Sequence, residues 1–281
     1  MSKPLVSIII PTLNRAQSLI RAVASVLAQS YSNIEVIVVD DGSTDNSSDL
    51  LRNRFGSQIR ILRLPRNRGV SYARNRGIEL SRGSFIAFLD SDDLWEPEKT
   101  GRQLAFMRGD PDIIISQTDE IWIRNGRRVN PCKHHKKPSG AIFAECLPLC
   151  VVSPSAVMMR RRFFAEIGLF DENLPACEDY DLWLRTASRY SVSLLSEKLV
   201  VKYGGHDDQL SRTIPALDRY RIASLLKILA SDTLTPSQRT LVLATLERKS
   251  KIYLKGCRKR GRINEVTALE QSLRDVGLQI I

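Results

Sequence analysis

Paired cysteines, phosphate-cradling glycine loops and membrane-length apolar runs are all missing from this 281-residue sequence. Its five cysteines, Cys132, Cys146, Cys150, Cys177 and Cys257, are odd in number and form no disulfide framework, which suits a reducing compartment. Cys132, His134, His135 and Cys146 follow no familiar zinc-ligand spacing. The first apolar run, Leu5 to Ile10, stops at Pro11, is too short to cross a bilayer and carries no cleavage signature. A soluble, cytoplasmic chain is expected. No Ser-His-Asp order or thiolate constellation offers a covalent nucleophile, and neither Gly-x-x-x-x-Gly-Lys-Ser/Thr nor Gly-x-Gly-x-x-Gly occurs. Internal repeats, heptads and low-complexity tracts are also absent. Acidic residues are the scarcer charge, 31 against 42 basic, which gives a net charge of +11 and points to an anionic partner without choosing one.

What is present is a core. The hydrophobic content of 43% supports one large α/β domain, or one domain with an appendage. Residues 5–10, 34–39, 59–64 and 84–89 are short β-branched or apolar runs typical of buried parallel strands. Helical patterns alternate with them: Leu19, Ile20, Val23, Val26 and Leu27 share one face, and further helices follow Asp45 and Val70. Such strand-helix-strand units give a right-handed, largely parallel sheet. Ligands collect beyond the carboxyl ends of its strands, where Pro11 to Arg15, Asp40 to Asp45 and Asp90 to Asp93 converge.

Later segments read less clearly. Strands are expected at 112–116, 155–160, 192–195 and 199–203, and helices at 161–167 and 179–190. Gly, Pro, Lys and His between 117 and 150 suggest mobile loops. Beyond about residue 212 the composition turns helical: Pro215 can open one helix, and Thr235-Pro236-Ser237-Gln238 has the form of a capping box.

Asp90-Ser91-Asp92-Asp93 is the most chemically suggestive segment. Three carboxylates at a strand end repel one another unless a cation or donor-rich ligand balances them, and Mg²⁺ or Mn²⁺ commonly bridges one or two carboxylates to substrate phosphates. A helix cap ahead of Leu94 to Pro97 is the plainer reading. Asp40-Asp41-Gly42-Ser43 likewise suits a turn as well as a ligand.

The ordered set Pro11-Thr12-Leu13-Asn14-Arg15, Val39 to Asp45, Asn67-Arg68-Gly69 with Ala73-Arg74-Asn75, Asp90 to Asp93 and Glu178 to Trp183 resembles the family 2 glycosyltransferases, from about residue 4 to 212. The resemblance implies the GT-A fold: α/β, with a Rossmann-like, mostly parallel central sheet and flanking helices. A catalytic domain is expected over 1–212, and the change in composition sets apart a basic helical region over 213–281. The resemblance places Pro11, Thr12 and Asp41 at the nucleotide base and ribose, with Asn14 and Arg15 in the same donor-binding opening. Arg74 is placed at the donor, Asp90 at ribose or metal, and Asp92 at a Mn²⁺ or Mg²⁺ bridging the diphosphate. His206, in Gly204 to Ser211, becomes a further metal or diphosphate ligand. Asp179 becomes the base that deprotonates the acceptor hydroxyl in an inverting transfer, while Asp181 is structural. Trp183 reads as core and Trp95 as the acceptor-side aromatic.

The implied reaction moves a sugar from a nucleoside-diphosphate donor, UDP by default, to a hydroxyl of a carbohydrate or lipid-linked acceptor in cell-surface polysaccharide or glycolipid assembly. A nucleotidyltransferase is the competing enzyme class, disfavoured because Pro11 to Arg15 lacks a glycine-rich basic phosphate loop. A non-enzymatic nucleic-acid-binding protein using the basic clusters at 248–251 and 255–262 ranks third, and nucleic acid is not an expected partner, because no nucleic-acid module accompanies those clusters. Those clusters instead suggest peripheral contact with an anionic membrane at the inner face of the cell, or simply a solvated helical face.

Overall fold

The computed structural model describes residues 3–130, 136–205 and 214–279. Strands β1 (Val6–Thr12), β2 (Ile34–Asp40), β3 (Arg60–Arg63) and β4 (Phe85–Phe88) pair in parallel in the order β3-β2-β1-β4. Between them lie α1 (Ala16–Leu27), α2 (Ser47–Phe55) and α3 (Val70–Leu80). The continuous apolar runs follow from burial on both faces: Ile8, Ile10, Val36 and Val38 join one apolar cluster with Leu19, Val23 and Leu51, while Ile9, Ile37 and Val39 join the other with Ala73 and Ile78. Helix α3 presses on β1 at Gly77, where an added Cβ would lie 2.3 Å from Ile9 Cγ2.

Past β4 the sheet becomes mixed. Strand β5 (Leu94–Trp95) and helix α4 (Lys99–Gly109) precede β6 (Ile115–Arg124) and β7 (Arg127–Val129). Helix α5 (Phe143–Cys146), strand β8 (Val157–Arg160), helices α6 (Arg162–Ile167) and α7 (Glu178–Ala187) and strand β9 (Ser193–Gly204) follow. Strand β8 runs antiparallel to β4 and β6, β9 runs parallel to β6, and β5 pairs antiparallel with β9. Because β8 starts where β4 ends, Ser155 arrives at the same edge as the carboxyl ends of β1, β2 and β4.

Two expectations for the strands of this half change. The loops expected over 117–150 begin later, since residues 115–124 and 127–129 form a strand and its hairpin partner. The two strands expected at 192–195 and 199–203 are one, β9. Its pairing with β6 slips around Asp119: Thr118 faces Leu195 and Glu120 faces Val200. The surplus in that slip is Ser196 and Glu197, before the Asp119–Lys198 pair, and Leu199, after it.

At the opposite end of the parallel strands a polar clamp holds the sheet. Glu35, 8% exposed, accepts Ser7 Oγ at 2.6 Å, Arg82 N at 2.5 Å and Gly83 N at 3.2 Å. Burial raises its pKa, but these donors and the Arg82 charge together hold the carboxyl below its ordinary value.

The C-terminal helices are α8 (Asp218–Leu229), α9 (Pro236–Lys259) and α10 (Ile263–Asp275). Pro215 lies three residues before α8 rather than in its first turn. The Thr235 capping box is formed as the sequence predicts, and Gln238 Nε2 also donates to Ser188 O at 3.1 Å, tying α9 to the end of α7. Leu225, Leu246, Leu254 and Leu273 belong to the same apolar cluster as Ile9 and Trp183. Among the described residues no helix is long and apolar enough to cross a membrane.

Candidate active site

Strand β1 ends in Pro11 and Thr12, both buried; Thr12 O accepts the Asp41 amide at 2.9 Å, and Thr12 Oγ1 is buried without a hydrogen-bond partner among the described residues. Asn14 turns the chain with φ +52° and accepts Thr44 N through its side chain at 2.8 Å, while its own amide donates to Ser43 Oγ at 2.9 Å. Its left-handed backbone and short polar side chain explain why Asn suits this position.

Asp40 and Asp41 divide the work of the next turn. Asp40 accepts Ser43 N at 2.8 Å and the Ser48 hydroxyl, closing the entry to α2. Asp41, 4% exposed, accepts the amides of Arg68 and Gly69, each at 2.8 Å. Burial outweighs those two amides and leaves its carboxyl above the usual range, with neighbouring Asp40 adding to the rise. Gly42 is required: its φ is +80°, and a Cβ there would lie 2.5 Å from the Arg66 carbonyl carbon. With Arg63, Leu64 and Pro65, the turn residues Gly42, Ser43 and Thr44 line a depression of about 610 Å³, to which the acidic segment contributes no residue.

In the acidic segment each carboxylate meets a cation. Arg15 Nη1 lies 2.5 Å from Asp92 Oδ2, Arg74 Nη2 2.8 Å from Asp90 Oδ1, and Lys202 Nζ 2.9 Å from Asp93 Oδ2. Burial would raise the Asp90 pKa, but Arg74, Lys202 and Arg15 hold it below the carboxylate norm. Asp93, also bonded by Ser155 Oγ at 2.7 Å, is pushed up to about 7 by burial and by Asp92 and Asp90, against the pull of Lys202. Burial would lower the Lys202 ammonium, yet Asp93, Glu120 and Asp90 hold it above the ordinary lysine value. Glu120 is itself paired with Lys137 at 2.9 Å.

Arg74 joins this segment to the second acidic motif. Its guanidinium, 4% exposed, reaches Glu178 Oε1 at 2.5 Å from the same side chain that holds Asp90. Glu178 and Asp179 open α7, directly after Cys177, a non-glycine residue in the left-handed region at φ +60°. Asp179 is half-buried; Oδ1 accepts the Tyr180 amide at 2.7 Å and Oδ2 accepts the Cys150 thiol at 3.2 Å. Asp181 pairs instead with Arg185 at 2.9 Å and Lys227 at 3.1 Å, in keeping with a structural role.

The structure therefore gathers Pro11, Thr12, Asn14, Arg15, Asp41, Arg74, Asp90, Asp92 and Asp179 along one edge of the sheet and what packs on it. His206 lies outside the described residues. Trp95 is a correction: it is 4% exposed, and its indole donates to Ser155 O at 2.8 Å, so it packs rather than offering a sugar a platform. Trp183, 1% exposed, is core as expected. Asp93, Lys202, Glu120 and Cys150 were missed as parts of this network. Asp93 was visible as the last acid of its cluster; the other three carry no local signal, because only the tertiary fold brings them in.

The fit to a divalent cation is partial. Among the described residues no group of three or more His, Cys, Asp and Glu side chains converges as a metal cage. Asp90 and Asp92 fit the smaller donor set, one or two carboxylates that a hard cation shares with substrate phosphates.

Comparison with known proteins is consistent with this geometry. The model of glycosyl transferase family 2 matches residues 7–168. The chain belongs to that family. A family relative, an uncharacterized glycosyltransferase of Rickettsia felis, is 37% identical over 195 residues, 69% of this chain and 32% of the relative, so the chain spans about a third of that protein's length. Another, the Escherichia coli UDP-Glc:alpha-D-GlcNAc-diphosphoundecaprenol beta-1,3-glucosyltransferase WfaP, is 31% identical over 187 residues, 66% of this chain and 71% of that protein. The crystal structure of S. aureus TarS 1-349 in complex with UDP-GlcNAc superposes with a TM-score of 0.76 at 21% identity, covering 96% of this chain and 80% of TarS 1-349. At that identity the likeness is one of fold, and the fold is GT-A.

Proposed function

We propose that this family 2 chain transfers a glycosyl group from a nucleoside-diphosphate sugar to an acceptor hydroxyl, with inversion, through a single displacement. The observation that carries the reading is the Arg74 bridge: one buried guanidinium holds both Asp90, in the donor-side acidic segment, and Glu178, next to Asp179. Donor-binding and base-bearing segments are thereby fixed relative to each other, and such positioning accelerates a displacement.

Thr12 Oγ1 is a buried polar group without a partner among the described residues, and a bound base or ribose would satisfy it. Asp41 keeps acceptor capacity beyond its two amide bonds and would take an N–H of the base. Arg15 offers planar donors to diphosphate oxygens. Asp92, with Asp90, would hold Mn²⁺ or Mg²⁺, which when bound would neutralise the departing diphosphate. Asp179 accepts the proton of the attacking hydroxyl; its two existing donors leave lone pairs for that hydroxyl and fix the carboxylate's orientation.

UDP is the donor nucleotide in this reading and a lipid-linked or free saccharide the acceptor, supported by what the names of WfaP and the TarS complex say of those proteins. The pathway is assembly of cell-surface polysaccharide or glycolipid. Residues 1–212 carry the chemistry, and 213–281 are a basic helical region. The testing experiment is a thermal-shift panel of UDP-, dTDP- and GDP-sugars with and without Mn²⁺. Selective stabilisation by one nucleotide supports the reading; no response to any donor, under conditions where the protein is folded, overturns it.

A further inference from the structure

Helix α9 carries an exposed stripe that no part of the proposed chemistry uses. Its buried side, Val242, Leu246, Leu254 and Cys257, packs into the core. At 100° per residue the opposite side brings Leu241, Arg248, Lys251, Ile252, Lys255 and Lys259 into one line, about 27 Å long. Leu241 is 44% and Ile252 65% exposed, and with Ile263, just past the helix, they are three of the four large apolar side chains exposed among the described residues.

The cations of this stripe differ from their neighbours. Lys249 is spent on Asp218, Arg258 on Glu270 and Arg262 on Glu265. Lys251 keeps an exposed partner in Glu247. Arg248, Lys255 and Lys259 have no ion pair among the described residues. The last helix thus uses its carboxylates beside the stripe and leaves the stripe itself positive.

We propose that this face of α9 is a docking surface for an anionic phospholipid bilayer, on which the helix lies without spanning it. Charge complementarity selects a polyanion, and the interleaved Leu241 and Ile252 select a lipid surface among polyanions. Cations meet headgroup phosphates while the aliphatic side chains enter the acyl boundary. A nucleic-acid backbone gives Ile252 nothing to bury against. The inference stands on the helix alone and does not depend on the transfer reaction.

Sedimentation of the full chain with phosphatidylcholine vesicles, and with phosphatidylcholine vesicles containing phosphatidylglycerol, tests it. Binding is expected only to the anionic vesicles and declines with salt. R248Q/K255Q/K259Q is expected to weaken it on the order of a hundredfold, about fivefold for each cation lost. I252S, at an exposed site that leaves folding intact, is expected to weaken it further in high salt, where the charges are screened. R54Q/R127Q/R128Q removes the same charge elsewhere and is expected to bind like the parent. Equal recovery with neutral and anionic vesicles, equal loss in both triple variants, or binding to duplex DNA with none to vesicles would each overturn the proposal.

Discussion

Arg74 and Glu178, separated by 104 positions in the chain, meet at 2.5 Å in a buried ion pair. Burial alone would lower the Arg74 pKa and raise that of Glu178; Asp90 and Glu178 hold the guanidinium above its ordinary value, whereas Glu178 stays above its own, with Asp179 adding to the effect of burial. Removing the cation therefore strands two carboxylates at once. Arg74→Met is expected to cost about 3–5 kcal/mol in urea denaturation, and Arg74→Lys most of that, since an ammonium lacks the fork that serves both partners. A loss under 1 kcal/mol in both variants would show that the bridge is not structural.

Asp92→Asn keeps size and removes a negative ligand. Titration calorimetry of the donor nucleotide is expected to show its Mn²⁺-dependent gain in affinity abolished, with affinity in the absence of metal little changed. An undiminished Mn²⁺ response would remove Asp92 from the metal site.

Asp179→Asn is expected to separate binding from turnover. Donor affinity and melting temperature stay near the parent's, while transfer falls about 10²- to 10⁴-fold, the usual contribution of a positioned base. Parent-like transfer with an intact donor site would move the base elsewhere.

Glu35 supplies a pH signature unrelated to catalysis. Its folded pKa lies below its unfolded value, so the unfolded chain binds the extra proton. The stabilisation is complete above the unfolded glutamate pKa, about 4.3, and is lost as pH falls through the lower folded value. Denaturation midpoints measured between pH 6 and 3 should fall less steeply for Glu35→Gln than for the parent; parallel curves would contradict the sign.

Much of this is legible in the sequence alone. Runs such as Ile8-Ile9-Ile10 and Val36-Ile37-Val38-Val39 are apolar without interruption because both of their faces are covered, and they marked β1 and β2 nearly to the residue. Gln117 to Arg124 failed to read as strand because polar residues alternate or cluster there. The candidate carboxylates and Arg15 and Arg74 were readable from type and order. Their pairing was not: that Lys202 would meet Asp93, or Cys150 meet Asp179, follows from strand order and helix packing, which leave no trace in local composition. Trp95 misled because proximity in sequence to an acidic cluster says nothing about which way an indole points.

The slip between β6 and β9 fixes more than a bend. From Thr118 to Glu120 the first strand advances two residues, while from Leu195 to Val200 the second advances five. Ser196 and Glu197 fall between the Thr118–Leu195 and Asp119–Lys198 pairs, and Leu199 between Asp119–Lys198 and Glu120–Val200. Side chains alternate with a period of two, so an odd surplus makes β9 residues of opposite parity face β6 before and after the slip. Past it the register is regular again, with Lys202 opposite Trp122 and its ammonium 2.9 Å from Asp93. An irregularity far in sequence from the acidic segment thus delivers the cation that balances its most deeply buried carboxylate.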